Sequence, residues 1–338
     1  MKPRITHLLS LGALVVGMVG SVGANAQDIH ERTIRFGHLN NTDHPVSFGV
    51  KRFAELVAAK SGGKMKVQEF PASTLGNELQ QQSALQGGIQ EMSAPSTTSL
   101  AGIVKEFGLI DFPFSVGNFA QADALLDGPL GQALIAKLPE KGLVALGYWD
   151  LGFRNVTNSK HPITKAEDLE GLKLRVIPNP VFLETFKAFK ANPVPMPFAE
   201  LYGALESKAV DGQENPFSVI LSNKFYEVNK YVSATNHVYA ANIVLVSKKF
   251  WDKLSPAEQK IMNDAANETR PYQRQVSRAA AAKAVAELQA KGMQFNEVAP
   301  AELNRMRDIA KPVVQKFIAS YDPAIAKLYL DELARIHK

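Results

Sequence analysis

The chain has 338 residues, 46% of them hydrophobic and 21% charged, which is typical of a folded protein large enough for two domains of ordinary size. Acidic and basic residues are interleaved without a basic block, so the formal net charge of +5 gives no electrostatic case for nucleic-acid binding. The sequence contains no cysteine, which excludes disulfides, thiolate catalysis and cysteine-ligated zinc.

The N-terminal segment, residues 1–26, has the three parts of a secretory signal peptide. Lys2 and Arg4 form a basic region, residues 8–22 form an apolar region broken by glycine, and residues 24–26 form a small-x-small cleavage site. The alternative is a membrane anchor, but about 15 apolar residues are short for a span of about 20. Cleavage would lower the formal net charge from +5 to +3 and place the protein in the periplasm.

Strand and helix patterns alternate along the first part of the mature chain. We predict strands at 32–39 and 64–70, where short apolar runs are bounded by turn residues. Helices are predicted to follow them at about 46–61 and 77–86, each with apolar residues on one face. Such alternation indicates a parallel sheet that is covered by helices.

The rest of the chain continues with both kinds of element. Further predicted helices and strands are 120–138, 182–189, 198–207 and 215–225 (helices) and 143–149, 172–177, 231–237 and 243–247 (strands). Glycine and proline punctuate residues 210–216, which we therefore interpret as a loop. Ser255, Pro256 and Glu258 form a helix start, and the Ala-rich segment 263–291 predicts one long helix, with Pro271 as a possible kink.

The order of these elements predicts two lobes. The chain leaves the first lobe near residue 152 and returns to it near residue 241. Lobe I is expected to comprise 27–152 with about 241–280, and lobe II 153–240 with about 281–338. Several crossings of this kind give a hinged pair of lobes with a cleft that closes around a ligand.

Sequence motifs of common enzymes are missing. The chain has no Gly-x-Ser-x-Gly elbow, P-loop, Rossmann glycine fingerprint or EF-hand loop. His38 and His44 lie close together, but lone histidines in loops are usually hydrogen-bonding residues. We therefore expect neither a metal site nor a cofactor.

A guanidinium and an amide are predicted to lie beside strand ends. Arg175 is near the end of strand 172–177, where open α/β sheets place their ligands. The segment 210–216 delivers Asn215, whose amide both donates and accepts hydrogen bonds. Together they would suit a carboxylate with a polar body. The alternative reading of Arg175 is a surface arginine on an edge strand.

Three segments carry motifs that are specific in combination. They read Gly-Leu-Lys-Leu-Arg-Val (171–176), Pro-Val-Pro-Met-Pro-Phe-Ala-Glu-Leu-Tyr-Gly-Ala-Leu (193–205) and Val-Asp-Gly-Gln-Glu-Asn-Pro (210–216). With them the chain resembles the extracytoplasmic solute-binding subunits of TRAP transporters, the DctP-like family, from about Ile34 to the C-terminal helices. The resemblance implies an α/β, two-lobed periplasmic binding protein fold with a hinged interdomain cleft and a long C-terminal helix that contacts both lobes.

The resemblance also implies roles for individual residues. Arg175 would pair with the substrate carboxylate, and Arg154, in a Gly-x-Arg-x-x-Thr motif, would hold the same carboxylate or its neighbour. Asn215 matches the asparagine of the family's Gln-Glu-Asn-Pro motif, and Phe198 matches an aromatic residue that lines the pocket. Further ligand-binding residues suggested by the family's motifs are Asn40, Asn41, Asp43, His44, Glu78, Ser96 and His237.

The implied function is capture of an organic acid and its delivery to a TRAP membrane permease. Acceptors such as Asp43 and Glu78 would repel a second carboxylate but accept hydrogen bonds from hydroxyls. The hypothesis is therefore a hydroxylated monocarboxylate, a hexuronate such as glucuronate or galacturonate, with a C4-dicarboxylate or keto acid as the rival.

Alternatives of another class stay open at this point. A periplasmic enzyme could act on a sugar acid with Glu78 or His44 as base, and a binding protein could serve a sensor kinase instead of a permease. We see no apolar stripe on the C-terminal helices that compels dimerisation, so a monomer is expected.

Overall fold

The computed structural model describes residues 29–338, and the predicted signal peptide lies outside them. The first elements are β1 (Arg32–Gly37), α1 (Pro45–Lys60), β2 (Met65–Phe70), α2 (Glu78–Gly87) and β3 (Met92–Ser93). They follow the predicted alternation. The third strand has two residues, and a 3₁₀ helix at residues 97–102 follows it.

The remaining elements include two unusually long strands. In chain order they are α3 (Phe119–Asp127), α4 (Pro129–Ile135), β4 (Leu143–Asn158), β5 (Lys173–Val176), α5 (Pro180–Ala188), β6 (Asn192–Pro195), α6 (Leu201–Glu206), β7 (Gly212–Pro216), α7 (Phe217–Ser222), β8 (Tyr231–Ser247), α8 (Lys248–Trp251), α9 (Pro256–Ala290), β9 (Gln294–Glu297), α10 (Pro300–Ile318) and α11 (Pro323–Ile336). Among the described residues, no helix is both long and apolar enough to cross a bilayer.

The strands form one nine-stranded sheet in the order β2-β1-β3-β8-β4-β7-β5-β6, with β9 added alongside β8. Strands β2, β1 and β3 pair in parallel at one side, and β7, β5 and β6 do so at the other. The long strands β4 and β8 lie between these groups and pair antiparallel with each other. Two parallel α/β units are therefore joined through one antiparallel ribbon.

The segment 210–216 is a strand and not the predicted loop. It pairs antiparallel with β4, so that Asn215 lies opposite Asn155, and its backbone hydrogen bonds outweigh the local turn signals. Gly212 serves close approach rather than a turn, because a Cβ there would lie 2.1 Å from the carbonyl oxygen of Thr157. The helix predicted at 215–225 accordingly begins at Phe217.

Other boundaries differ for similar reasons. The strand predicted at 143–149 continues with bulges to Asn158, and the strands predicted at 231–237 and 243–247 are one strand. The helix predicted at 120–138 is divided at Gly128, the N-cap that precedes Pro129. The pairing of β4 with β8 keeps each strand continuous through residues whose local sequence does not predict a strand.

The long helix α9 runs through Pro271 and begins at a capping box formed by Ser255 and Glu258, as predicted. It packs against α1 and β4 on one side of the molecule and against α7 and β9 on the other. The predicted lobe boundaries meet in the central ribbon, where Gly152 lies opposite Ala240. The last helix, α11, packs against α3 and α4 of the predicted lobe I, although the prediction placed it in lobe II.

Buried apolar side chains form three clusters: the first joins α1 and β1 with α6, α7 and α9, the second lies around α3, α4 and α11, and the third packs α5 against β5 and α10. In the first, Phe36 stacks on Trp149 with ring centroids 6.0 Å apart. Burying a side chain of this size stabilises the fold by roughly 1.5–3 kcal/mol. These clusters fix the ends of β1, β5 and β7 around the cavity described next.

Candidate functional site

A cavity of about 400 Å³, counting all atom-free space up to its mouth, lies where the two α/β units meet. The lining residues are Leu39, Asn40, Glu78, Ala94, Ser96, Leu151, Arg154, Arg175, Ile177, Phe198, Asn215, Val219 and Asn242. The structure thus brings together seven predicted site residues: Arg175, Arg154, Asn215, Glu78, Phe198, Asn40 and Ser96. Larger grooves exist at the surface, but this cavity has buried arginines in its wall.

Arg175 projects from β5 and is fully buried, so it is not the surface arginine of the alternative reading. Its Nε and Nη2 donate to the carbonyl oxygen of Met196 at 2.9 and 2.7 Å. Its Nη1 has no hydrogen-bond partner among the described residues. The ring of Phe198 lies 5.8 Å from the guanidinium carbon. A buried guanidinium with an unused donor is suited to receive an anion.

The charge of Arg175 persists at neutral pH. Burial lowers the pKa of Arg175 to about 10, and the carboxylates of Glu78 and Glu214 act in the opposite direction. Because this pKa stays well above 7, the side chain remains a cation at neutral pH. Among the described residues, no carboxylate is bonded directly to this buried cation, whose donors contact only the carbonyl oxygen of Met196.

Arg154 lines the same cavity but is paired. Its Nη2 donates to Oε1 of Glu214 at 2.8 Å and to the backbone oxygen of Glu214 at 2.6 Å, and its Nε donates to Oε2. Burial by itself would raise the pKa of Glu214, but Arg154 and His237 outweigh it and the pKa is lowered. Glu214 is therefore ionised and compensates the charge of Arg154, which leaves Arg175 as the lining arginine without a bonded carboxylate among the described residues.

The other polar lining residues are held by local structure. Glu78 opens α2, whose N-cap Asn77 forms a capping box with Gln80. Asn215 donates from Nδ2 to Oε1 of Gln213. Ser96 donates to the hydroxyl of Thr98 at 3.1 Å. Fixed side chains of this kind present defined polar groups to a ligand.

The loop after β1 contributes Asn40 to the cavity but turns its other predicted residues elsewhere. Asn41 donates from Nδ2 to the carbonyl oxygen of Ser222 at 2.8 Å. Asp43 is exposed at a surface groove beside α1. The sequence predicted that Asp43 and Glu78 would both face the ligand. Glu78 lines the cavity and Asp43 does not, so the prediction for Asp43 is corrected.

Two predicted histidines are also buried away from the cavity. His44 caps α1, where its Nδ1 accepts from the backbone N–H of Val46 and its Nε2 lies 3.3 Å from the hydroxyl of Ser218. Burial lowers the pKa of His44 to about 3, so it is neutral. His237 contacts Oε2 of Glu214 at 3.1 Å and the hydroxyl of Thr235 at 2.8 Å. Both are committed to structural hydrogen bonds.

The sequence reasoning missed two polar residues of the site. Glu214 lies in a segment whose glycine and proline indicate a loop, and its role follows only from the pairing of β4 with β7, which places it against Arg154. Asn242 lies in the gap left between two predicted strands, and nothing in its neighbourhood marks it. Its Nδ2 donates to the carbonyl oxygen of Ala94 at 2.7 Å, and its Oδ1 has no partner among the described residues.

Within residues 29–338, no group of three or more histidine, aspartate and glutamate side chains is arranged to hold a metal ion. His38, considered with His44 above, has its Nε2 2.9 Å from Oε1 of Glu69. Among these residues, the cavity lining therefore offers polar and charged side chains but no such metal-binding group.

Comparison with known proteins places this geometry in a family. The model of the bacterial extracellular solute-binding protein family 7 (DctP) matches residues 36–320. The chain is 38% identical over 277 residues to the 2,3-diketo-L-gulonate-binding periplasmic protein YiaO of Escherichia coli K12, with 82% of each protein covered.

Two solved structures are similar over nearly their whole length. The sugar acid binding protein DctPAm of Advenella mimigardefordensis, in complex with galactonate, has a TM-score of 0.89 and 42% identity, and the match covers 91% of this chain and 100% of that one. A TRAP periplasmic solute-binding protein of Sulfurospirillum deleyianum with bound succinate has a TM-score of 0.85 and 30% identity, and the match covers 89% and 99%.

These findings confirm the two-lobed fold and the predicted family. Proteins of the family bind small organic acids outside the cytoplasm and work with membrane permeases, so the alternative of an enzyme is wrong. The chain belongs to the bacterial extracellular solute-binding proteins of family 7, the DctP-type binding subunits of TRAP transporters.

Proposed function

We propose that this protein captures one hydroxylated monocarboxylate, a sugar acid such as a hexuronate, and delivers it to a TRAP-type permease. The observation that carries the proposal is the difference between the two cavity arginines. Arg154 is compensated by Glu214, whereas Arg175 keeps an unused donor and no bonded carboxylate. One uncompensated cation suits one carboxylate.

The rest of the lining supports hydroxyl groups on the ligand. Glu78 would repel a second carboxylate, but its oxygens accept hydrogen bonds from hydroxyls. Asn40, Ser96 and Asn215 add amide and hydroxyl groups that both donate and accept. A polyhydroxylated acid satisfies more of these groups than an unsubstituted acid does. The relative in complex with galactonate is in keeping with this class of ligand.

The alternative ligands are a C4-dicarboxylate and a keto acid. The relative with bound succinate supports the first, and the relative named for 2,3-diketo-L-gulonate supports the second. Either would keep Arg175 as the carboxylate anchor. The two differ from a sugar acid in what they present to Glu78, since an additional carboxylate or carbonyl offers that side chain no donor.

We also propose where the protein acts and in which oligomeric state. The features of residues 1–26 support export to the periplasm, and we propose that the protein acts there as a monomer. The binding residues Asn41 and His44 would then take part indirectly, by tying the loop after β1 to α7. His237 would act through Glu214, which it contacts.

A thermal-shift screen of the mature protein tests the proposal, because a ligand that binds the folded state raises the melting temperature by mass action. The panel comprises hexuronates, aldonates, C4-dicarboxylates, keto acids and N-acetylneuraminate. A shift with a sugar acid that disappears in Arg175→Ala is the expected result. A shift with a C4-dicarboxylate alone would keep the family and overturn the proposed ligand.

A further inference from the structure

Asn242 presents a buried hydrogen-bond acceptor with no partner in the part of the chain that the structure describes. The residue lies in β8 opposite Trp149, is 2% exposed and lines the cavity. Its Oδ1 accepts no hydrogen bond there. Buried polar atoms are rarely left unsatisfied, and each one in a folded protein calls for an explanation.

The orientation of this amide is fixed by its other end. Its Nδ2 lies 2.7 Å from the carbonyl oxygen of Ala94, an atom that only accepts hydrogen bonds. Rotating the amide by half a turn would place Oδ1 against that oxygen, acceptor against acceptor. Oδ1 of Asn242 therefore points away from the carbonyl oxygen of Ala94, and Asn242 itself lines the cavity.

The unsatisfied atoms of this cavity have complementary characters. Within residues 29–338, Nη1 of Arg175 is a charged donor without a partner, and Oδ1 of Asn242 is an acceptor without a partner. Both belong to lining residues, one from β5 and the other from the central ribbon. A ligand that satisfies both must carry an anionic oxygen and a hydrogen-bond donor.

We propose that Asn242 determines specificity: its Oδ1 accepts a hydrogen bond from a hydroxyl of the acid whose carboxylate Arg175 binds. The proposal rests on the proposed function, since it assumes a hydroxylated monocarboxylate. A keto oxygen or a second carboxylate at the same place would face Oδ1 with another acceptor. The residue thus selects hydroxy acids against keto acids and dicarboxylates of similar size.

Leaving a buried acceptor unpaired is costly, and sites built to bind a hydroxyl reject analogues that lack it. For the wild-type protein we expect one hydroxyl of the ligand to matter most. Its replacement by hydrogen should weaken binding by about tenfold to a hundredfold. The remaining hydroxyls should each matter less.

The test is calorimetry with the tightest binder among galactonate, galacturonate and glucuronate, together with its series of monodeoxy analogues. Wild type and Asn242→Leu are titrated with the whole series. The proposal predicts that the loss for one analogue, present in wild type, vanishes in Asn242→Leu. It is overturned if Asn242→Leu keeps that loss, or if every analogue binds wild type within about threefold of the parent acid.

The wild-type series needs no variant, so the test holds even if Asn242→Leu fails to fold after losing the bond to Ala94. Ser247→Ala is the matched control, because Ser247 lies farther along β8 and has a buried oxygen that also lacks a partner among the residues described, yet does not line the cavity. Its analogue series should equal that of wild type. If no sugar acid binds wild type at all, the proposed function is wrong, and the role proposed for Asn242 is wrong as well. Tight binding with equal affinity for every analogue overturns the role of Asn242 alone.

Discussion

Nη2 of Arg154 lies 2.8 Å from Oε1 of Glu214, and both side chains are fully buried where β4 pairs with β7. This pair decides the charge of the binding cavity. Without Glu214, two arginines would face the ligand, and a dicarboxylate would be the natural choice. With it, Arg175 is the lining arginine that has no bonded carboxylate among the described residues, which supports the proposed match to a single carboxylate.

The Arg154–Glu214 pair should be costly to break from one side. Glu214→Gln leaves a buried guanidinium without its anion, and we expect the free energy of unfolding to fall by about 3–5 kcal/mol. Urea unfolding measures this. Glu170→Gln serves as the control, since Glu170 forms an exposed pair with Lys190 whose contribution should be at most about 1 kcal/mol. A Glu214→Gln protein as stable as the control would contradict the buried pair.

Removing Arg175 should abolish binding with little effect on the ligand-free protein. In Arg175→Met, the bound carboxylate loses its cation, at a cost of about 3–5 kcal/mol, which turns micromolar into roughly millimolar affinity. Stability changes little, because the lost bonds to Met196 are offset by removal of a buried charge. Calorimetry and thermal unfolding separate these effects. Arg305→Met, at an exposed arginine, should bind as wild type; unchanged affinity in Arg175→Met would exclude this residue as the anchor.

Glu78 should discriminate against a second carboxylate. Galactarate carries the secondary hydroxyls of galactonate but has a carboxylate in place of the terminal hydroxymethyl group, so the two form a matched pair. In Glu78→Gln the repulsion is gone, and we expect the affinity for galactarate relative to galactonate to rise about tenfold. Glu140→Gln, an exposed residue outside the cavity, should leave the ratio at the wild-type value. A ratio unaffected by Glu78→Gln would show that this carboxylate does not sense the ligand.

Asp111 should make stability depend on pH. The carboxyl accepts from the hydroxyl of Thr98 at 2.7 Å and from Nδ2 of Asn179 at 3.0 Å, and burial raises the pKa of Asp111 to about 7. Between its ordinary value of 3.8 and about 7, the folded protein binds a proton that the unfolded chain does not. Its contribution to stability is therefore complete below about pH 4 and is lost as the pH rises through about 7.

Comparison with Asp111→Asn isolates this contribution. The variant does not titrate, so its free energy of unfolding minus that of wild type should increase from pH 4 to 7, by up to about 1.4 kcal/mol per pH unit, and level off above 8. His44 titrates in the opposite sense but is present in both proteins and cancels. Asp331→Asn, at an exposed site, should give a flat difference. A flat line for Asp111→Asn as well would refute the raised pKa.

Much of the fold could be predicted from the sequence because its signals are local. The capping box at Ser255 and Glu258 marks the start of α9, and the alternation of strands and helices marks the parallel units. The strand β7 and the continuity of β4 and β8 could not be predicted in the same way. Their pairing joins residues far apart in the chain, as between Asn155 and Asn215, and overrides the glycine and proline signals.

Among the predicted site residues, the strand pattern places Arg175 at a strand end, beside the cavity that it lines. The pattern at the start of α2 favours a structural role for Glu78, which only the family motifs suggest as a ligand-binding residue. The loop after β1 shows the limit, because the sequence does not tell which of its polar side chains caps α1, as His44 does, and which lines the cavity, as Asn40 does. Asn242 depends on a bond to Ala94 across the sheet and has no local signal.

The most direct test of the account is calorimetric titration of the wild-type mature protein with galactonate and galactarate at neutral pH. These ligands differ in one end group, a hydroxymethyl against a carboxylate, so the ratio of their affinities reports how many carboxylates the cavity accepts. We predict that galactonate binds at least about tenfold more tightly, because Arg175 is the uncompensated cation and Glu78 repels a second anion. Equal or tighter binding of galactarate would contradict a site built for a single carboxylate.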